Sequence, residues 1–270
     1  MKFDKENISN TKRITVFGGV NVIESDEILF KVAEEFSKLS EKLNFNYVFK
    51  ASFDKANRSS LDSYRGPGIE KGLESLEKVK QRFDLPIITD IHEPKQAEIV
   101  AEVCEILQIP AFLCRQTDLV VSAAKTKRII NVKKPQFSSA DEMSNVITKC
   151  KSVGNENIIL CERGNSFGYN NLVVDTLNFQ ILKELGKPVF FDVTHSLQQP
   201  GALKKSTGGS GKYVFDLAKA GISQAIAGLF IETHPNPDEA KCDGPCALHL
   251  HELPDFLKKI ISLDDLIKTL

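Results

Sequence analysis

The chain has 270 residues, with 35 Lys plus Arg against 36 Asp plus Glu. That length suits one large α/β domain burying about three quarters of its unfolded surface, and the balanced charge leaves no basic excess to hold a nucleic-acid backbone. The charged start "MKFDKENISNTKR" and apolar runs far shorter than the roughly 20 residues of a membrane span predict a cytoplasmic protein with no membrane partner, and six scattered cysteines predict free thiols.

Eight short β-branched or apolar runs predict strands: 13–17, 46–51, 86–90, 105–111, 128–133, 157–163, 188–194 and 224–232. Between them, segments such as 26–43 and 94–104 repeat apolar residues at the spacing of a helix that covers a sheet. Eight βα units without a linker give a single-domain α/β protein, a (β/α)8 TIM barrel over residues 1–270. An open dinucleotide-binding sheet is disfavoured, because "FGGVNVIES" (17–25) lacks the G-x-G-x-x-G turn.

In such a barrel the residues after each strand converge on one mouth. Asn21 follows the first run; Lys50, Ser52, Lys55, Asn57, Arg58 and Ser59 the second; Asp90, His92 and Glu93 the third; Arg115 the fourth. Lys133 and Lys134 follow the fifth, Arg163 the sixth, Asp192 and His195 the seventh, and Glu232, with Asp243 beyond it, the eighth. A lone Lys or Arg here is ordinarily a solvated loop charge. Lys55, Arg58, Lys133 and Arg163, however, come from three strand ends, and like charges in a concavity repel unless an anion sits among them. Phosphate matches the arginine forks. His195, Glu232 and Asp243 form a second constellation, able to hold a divalent ion or to position a water. Cys242 and Cys246 lack a second pair at zinc-site spacing and read as lone thiols.

The loop "FDKANRSS" (53–60) resembles the substrate loop of the 3-deoxy-D-manno-octulosonate 8-phosphate synthase family. "TDIHEP" (89–94), "IPAFLCRQTDL" (109–119), "NVKKPQF" (131–137), "CERGNSFGYNNLVVD" (161–175), "FFDVTHSLQQPG" (190–201), "FIETHPNP" (230–237) and "KCDGP" (241–245) fall in the family's order. The resemblance implies a transferase of lipopolysaccharide-precursor biosynthesis that condenses phosphoenolpyruvate with arabinose 5-phosphate and water and releases phosphate. It also implies a homotetramer. On it, Lys133 and Arg163 hold the phosphoenolpyruvate phosphate, and Lys55 meets its carboxylate and protonates the forming alkoxide. Asn57, Arg58 and Ser59 grip arabinose 5-phosphate, with Arg115 reaching in from a neighbouring subunit. Asp90, His195, Glu232, Asp243 and Asn21 surround the reacting carbons and the water.

The family has a metal-dependent branch whose ligands are Cys, His, Glu and Asp, and a metal-independent branch in which Asn replaces the Cys. Asn21 occupies that position, and an amide is a far weaker ligand than a thiolate, so neither a metal nor another cofactor is expected. The alternative is the related 3-deoxy-D-arabino-heptulosonate 7-phosphate synthase family, which uses erythrose 4-phosphate and carries Pro where Asn57 stands. A non-catalytic sugar-phosphate sensor and a Schiff-base aldolase are the rival classes. The Gly-rich loop 196–211, with Lys204 and Lys205, reads either as a lid over the ligands or as an ordinary flexible loop.

Overall fold

A computed structural model describes residues 5–58, 60–167, 170–200 and 208–270. Eight parallel strands, β1 Thr15–Val22, β2 Asn46–Ser52, β3 Ile87–Asp90, β4 Ile106–Ile109, β5 Ile129–Lys133, β6 Ile158–Glu162, β7 Val189–Asp192 and β8 Gly228–His234, pair in sequence order. The β1–β8 pairing, with Thr15 against Gly228, closes the ring. Outside it lie α1 Asp26–Leu43, α2 Ile69–Phe83, α3 Gln96–Val103, α4 Thr117–Lys125, α5 Met143–Lys151, α6 Leu177–Glu184, α7 Val214–Ile222 and α8 Leu253–Ile267. This is the expected (β/α)8 barrel. No helix among the described residues is long and apolar enough to cross a membrane.

Helix α1 has the bounds its periodicity predicts. The Ser25 hydroxyl accepts from the Ile28 amide at 3.2 Å, Asp26 and Glu27 occupy the first turn, and Asn44 ends the helix in the left-handed conformation at φ 54°. Leu29, Val32, Ala33, Phe36 and Leu39 are its buried face.

Strand β1 differs from the sequence reading. It continues through "GGVNV" to Val22, so Asn21 lies on the strand and not in a loop after it. The two glycines lower local β-propensity, which hid the extension. Gly19 is required: a Cβ there would stand 1.9 Å from the Lys50 carbonyl oxygen of the neighbouring strand, and the β1–β2 register shifts between Gly19 and Val22. Ser52 likewise lies on its strand, one residue past the predicted run 46–51, whereas Lys50, Asp90, Lys133, Asp192 and Glu232 fall on strands within their predicted runs.

Alternation along each strand sends every second residue into the barrel. Low in the barrel these are Phe17, Val48, Ile88, Ile106, Ile159, Phe190 and Phe230, a separate apolar cluster that Ile8 joins; the rings of Phe17 and Phe190 stack at 4.2 Å. Each such side chain contributes roughly 1.5–3 kcal/mol on burial. Two residues further along the same inward faces come Gly19, Lys50, Asp90, Gln108, Cys161, Asp192 and Glu232. The barrel interior therefore changes from oil to charge within one side-chain layer, and the apolar plug is the floor of a polar site.

Candidate active site

Above the plug opens a cavity of about 390 Å³, lined by polar groups from most strands, among them Lys50, Lys55, Asp90, Lys133, Arg163 and Asp192. Lys50 donates to Glu232 Oε1 at 2.5 Å and to the Asn21 carbonyl at 3.0 Å. Burial pushes the Lys50 ammonium below its usual range, opposed by Glu232. Burial alone would raise the Glu232 carboxyl; the positive charges of His195, Lys50 and Lys55 instead hold it at about 2. Asp90 is held below the usual carboxylate range against its burial by Lys55 and His92. Its two oxygens meet the Ser52 hydroxyl and, at 3.1 Å, His92 Nε2.

Lys55 is buried, yet its ammonium makes no hydrogen bond among the described residues. Burial would lower its pKa, but the charges of Asp90, Glu232 and Asp243 raise it overall. Lys55 is thus a fixed cation, which disfavours the Schiff-base reading, since that chemistry needs a neutral amine. Lys133 donates to Asp192 Oδ2 at 2.6 Å and lies 3.1 Å from the centroid of the Phe230 ring. Arg163 is buried with Nη2 on Gln198 Oε1 at 2.7 Å and Nη1 unpartnered.

The acidic groups do not form a constellation separate from the cations. Asp192 Oδ2 receives Lys133 and, at 2.8 Å, His195 Nδ1, so one carboxylate joins the two sets. Its pKa is depressed despite burial by His195 and Lys133. His195 Nε2 then lies 3.4 Å from Glu232 and 3.8 Å from Asp243. Asp243 is held in the left-handed region at φ 49°, a backbone cost of about 1–2 kcal/mol.

Asn21 sits between the two carboxylates. Its Nδ2 donates to Glu232 at 2.6 Å and to Asp243 at 3.0 Å, while its Oδ1 is buried without a partner. An amide N–H offered to both carboxylates stands where a cation would otherwise offset their repulsion, so this donor set does not fit a divalent ion. Among the described residues no group of three or more His, Cys, Asp and Glu is arranged to hold a metal. Cys242 and Cys246 make no common site: Cys242 meets Arg58 and burial lifts its thiol to about 12, whereas Cys246 lies beside the Gly208 carbonyl.

On the rim, Arg58 also donates to the Lys241 carbonyl at 3.3 Å, and Asn57 is exposed on the cavity wall. Arg115 is exposed and does not line its own chain's cavity, although Ala111, Phe112 and Leu113 do. Lys134 does not line the cavity and donates to Asn165 at 2.5 Å. Ser59, Lys204 and Lys205 lie outside the described residues.

A DAHP synthetase I family model matches residues 2–269. The chain belongs to that family. It is similar to the 2-dehydro-3-deoxyphosphooctonate aldolases of Pseudomonas syringae pv. tomato and Pseudomonas putida strain GB-1. Each is 60% identical over 262 residues, spanning 97% of this chain and 93% of the relative. In Pseudomonas savastanoi pv. phaseolicola a protein of the same name is 58% identical over the same span.

Lys50, Asp192 and Gln198 belong to the network although sequence reasoning gave them no role. Lys50 and Asp192 share inward parity with Val48 and Phe190, a signal readable once each strand's apolar face is assigned. Gln198 carries no such signal.

Proposed function

We propose that this enzyme condenses phosphoenolpyruvate with arabinose 5-phosphate and water to form 3-deoxy-D-manno-octulosonate 8-phosphate and phosphate, a step toward a lipopolysaccharide precursor. The observation that carries the reading is the 60% identity, across nearly the whole chain, to proteins named for the octulosonate aldolase reaction. The cation-rich cavity supports it, because two phosphates and a carboxylate must be held together there.

In this reading the phosphoenolpyruvate phosphate lies on Arg163 and Lys133, and its carboxylate faces Lys55. C3 attacks the aldehyde carbon of the sugar while water adds at C2. The tetrahedral hemiketal phosphate then expels phosphate with C–O cleavage. Lys55, held positive by its carboxylate neighbours, stabilises the forming alkoxide and supplies its proton. Asp90, His195, Glu232 and Asp243 orient the water and sugar and move protons, with Asn21 linking two of the carboxylates in place of a metal. Fixed charges in a site shielded from water lower the barrier without reorganising.

Arabinose 5-phosphate is gripped by Asn57, Arg58 and Ser59. The exposed Arg115 completes that grip in a neighbouring subunit of a homotetramer; its absence from the lining of its own chain's cavity and the exposure of Phe112 three residues before it support an assembly surface there. A phosphate-release assay with arabinose 5-phosphate and erythrose 4-phosphate offered separately tests the assignment. Turnover is expected with the pentose; equal or greater turnover with the tetrose overturns it.

A further inference from the structure

Gln198 bridges the Arg163 and Asp243 sides of the site. Gln198 Oε1 accepts from Arg163 Nη2 at 2.7 Å, and Gln198 Nε2 donates to Asp243 Oδ2 at 3.1 Å. Only one orientation of the amide satisfies both neighbours, since a guanidinium has no lone pair to offer and an ionised carboxylate no proton. The backbone around it is fixed. Gln198 pairs with Gly209 in a short antiparallel ladder, and the Ser210 amide donates to the Leu197 carbonyl at 3.2 Å. That ladder lies against the turn that carries Asp243: a Cβ on Gly209 would stand 2.2 Å from Cys246 Sγ. The base of Arg163 is fixed as well, because Glu162 Oε1 accepts from the Arg163 and Gly164 amides at 2.9 and 2.6 Å. What remains free to exchange partners is the guanidinium, whose Nη1 is buried with none.

We propose that Gln198 is a positioning residue that couples occupancy of the Arg163 anion subsite to the carboxylate Asp243. The proposal rests on reading Arg163 as a phosphate ligand. An arriving phosphate takes Nη1 and displaces the neutral Gln198 oxygen from Nη2, because a phosphate can meet both guanidinium nitrogens in a bidentate pair and adds the Coulomb attraction of its own charge. Gln198 keeps its donation to Asp243, and its freed Oε1 becomes an acceptor inside the cavity it already lines. The first anion thereby prepares an acceptor beside Asp243 for a hydroxyl of the second substrate or for the attacking water. No residue changes charge in the exchange.

The test compares Gln198→Glu and Gln198→Met in the full chain, with melting curves as a check on folding. Calorimetric titration with inorganic phosphate reads the Arg163 side without turnover. Gln198→Glu, which gives Arg163 a resident carboxylate, is expected to weaken phosphate about tenfold or more, and Gln198→Met to change it by less than about threefold. Steady-state kinetics read the Asp243 side. Gln198→Met is expected to lower kcat about tenfold and to remove the dependence of the arabinose 5-phosphate KM on phosphoenolpyruvate concentration. A residue that merely ties the ladder through its backbone would not separate the two variants. Phosphate affinity indifferent to Gln198→Glu, or kcat within about twofold of wild type in Gln198→Met, overturns the proposal. Wild-type protein that binds phosphate with the expected Glu effect but does not turn over the substrates refutes the proposed reaction instead and leaves the coupling to Arg163 standing.

Discussion

The floor and the mouth of this barrel use the same basic side chains in opposite ways. At the floor every one of them has partners, backbone carbonyls foremost, with Asp265 also meeting Arg13 and Glu105 also meeting Lys80. Arg13 bonds the Leu43 and Asn44 carbonyls at 3.2 and 3.0 Å, Lys80 that of Val103 at 2.7 Å, Arg128 that of Ala101 at 2.9 Å, and Lys268 that of Ile226 at 2.6 Å. Several of these carbonyls end helices, where the dipole also favours a cation. At the mouth, Lys55 and one nitrogen of Arg163 are buried without hydrogen-bond partners among the described residues. Burial pushes the Arg163 guanidinium down, as expected of a cation still short of a counter-charge. Cations at the floor stabilise the fold, whereas Lys55 and Arg163 at the mouth are held in readiness at its expense.

Substitutions on the two sides should therefore separate activity from stability. The largest effect is expected for Arg163→Ala, which removes a charge-assisted phosphate contact of about 2–3 kcal/mol, or roughly 30- to 150-fold in kcat/KM for phosphoenolpyruvate. Its melting temperature should not fall, because a buried unpartnered donor leaves with it; unchanged kinetics would mean the phosphate lies elsewhere. The floor counterpart is Asp264→Ala. Asp264 is fully buried in α8 and accepts the Ile14 amide at 2.9 Å, tying the start of the barrel to its last helix. Leaving that amide unpaired should cost about 1–3 kcal/mol in denaturant unfolding while kcat/KM stays at the wild-type value. Reduced turnover at saturating substrate in folded protein would contradict the separation.

Acid should report on the mouth first. Glu232 is held at about 2 in the folded protein against an ordinary value of 4.5. A depressed folded-state pKa stabilises above the unfolded value, and that contribution is lost as pH falls from about 4.5 to about 2. Glu232→Gln should make unfolding free energy less steep across that window, and an unchanged slope would argue against the pairing with Lys50 and His195. The smallest expected effect is that of chelation. With Asn21 donating to both carboxylates, activity should stay within about twofold after exhaustive EDTA treatment, an amide being a poor substitute for a thiolate ligand. Asn21→Cys should in turn bind a divalent transition ion measurably. Loss of wild-type activity with chelator and recovery with metal would refute the metal-free reading.

The eight strand–helix units, the single domain and the order of the family's motifs follow from the sequence alone, because hydrophobic period and βα alternation are local properties and the barrel is the closed arrangement that buries them all. So does the pool of polar residues: Lys55, Asp90, Lys133, Arg163, His195, Glu232 and Asp243 each stand at or just beyond a strand that reads clearly in one dimension. Which of them touch was decided by closure. Asn21 and Glu232 are 211 residues apart in the chain yet 2.6 Å apart in space, because β1 pairs with β8. Asp192 joins the cation and acid sets because Lys133, two strands away on β5, and His195, three residues on in the chain, meet at one of its oxygens. Gln198, in a Gly-rich segment without periodicity, acquires its place from a ladder and a turn packed against each other. Local pattern names the elements and their inward faces; partner choice between charges depends on distances of a few ångströms across the ring, which only the tertiary structure sets.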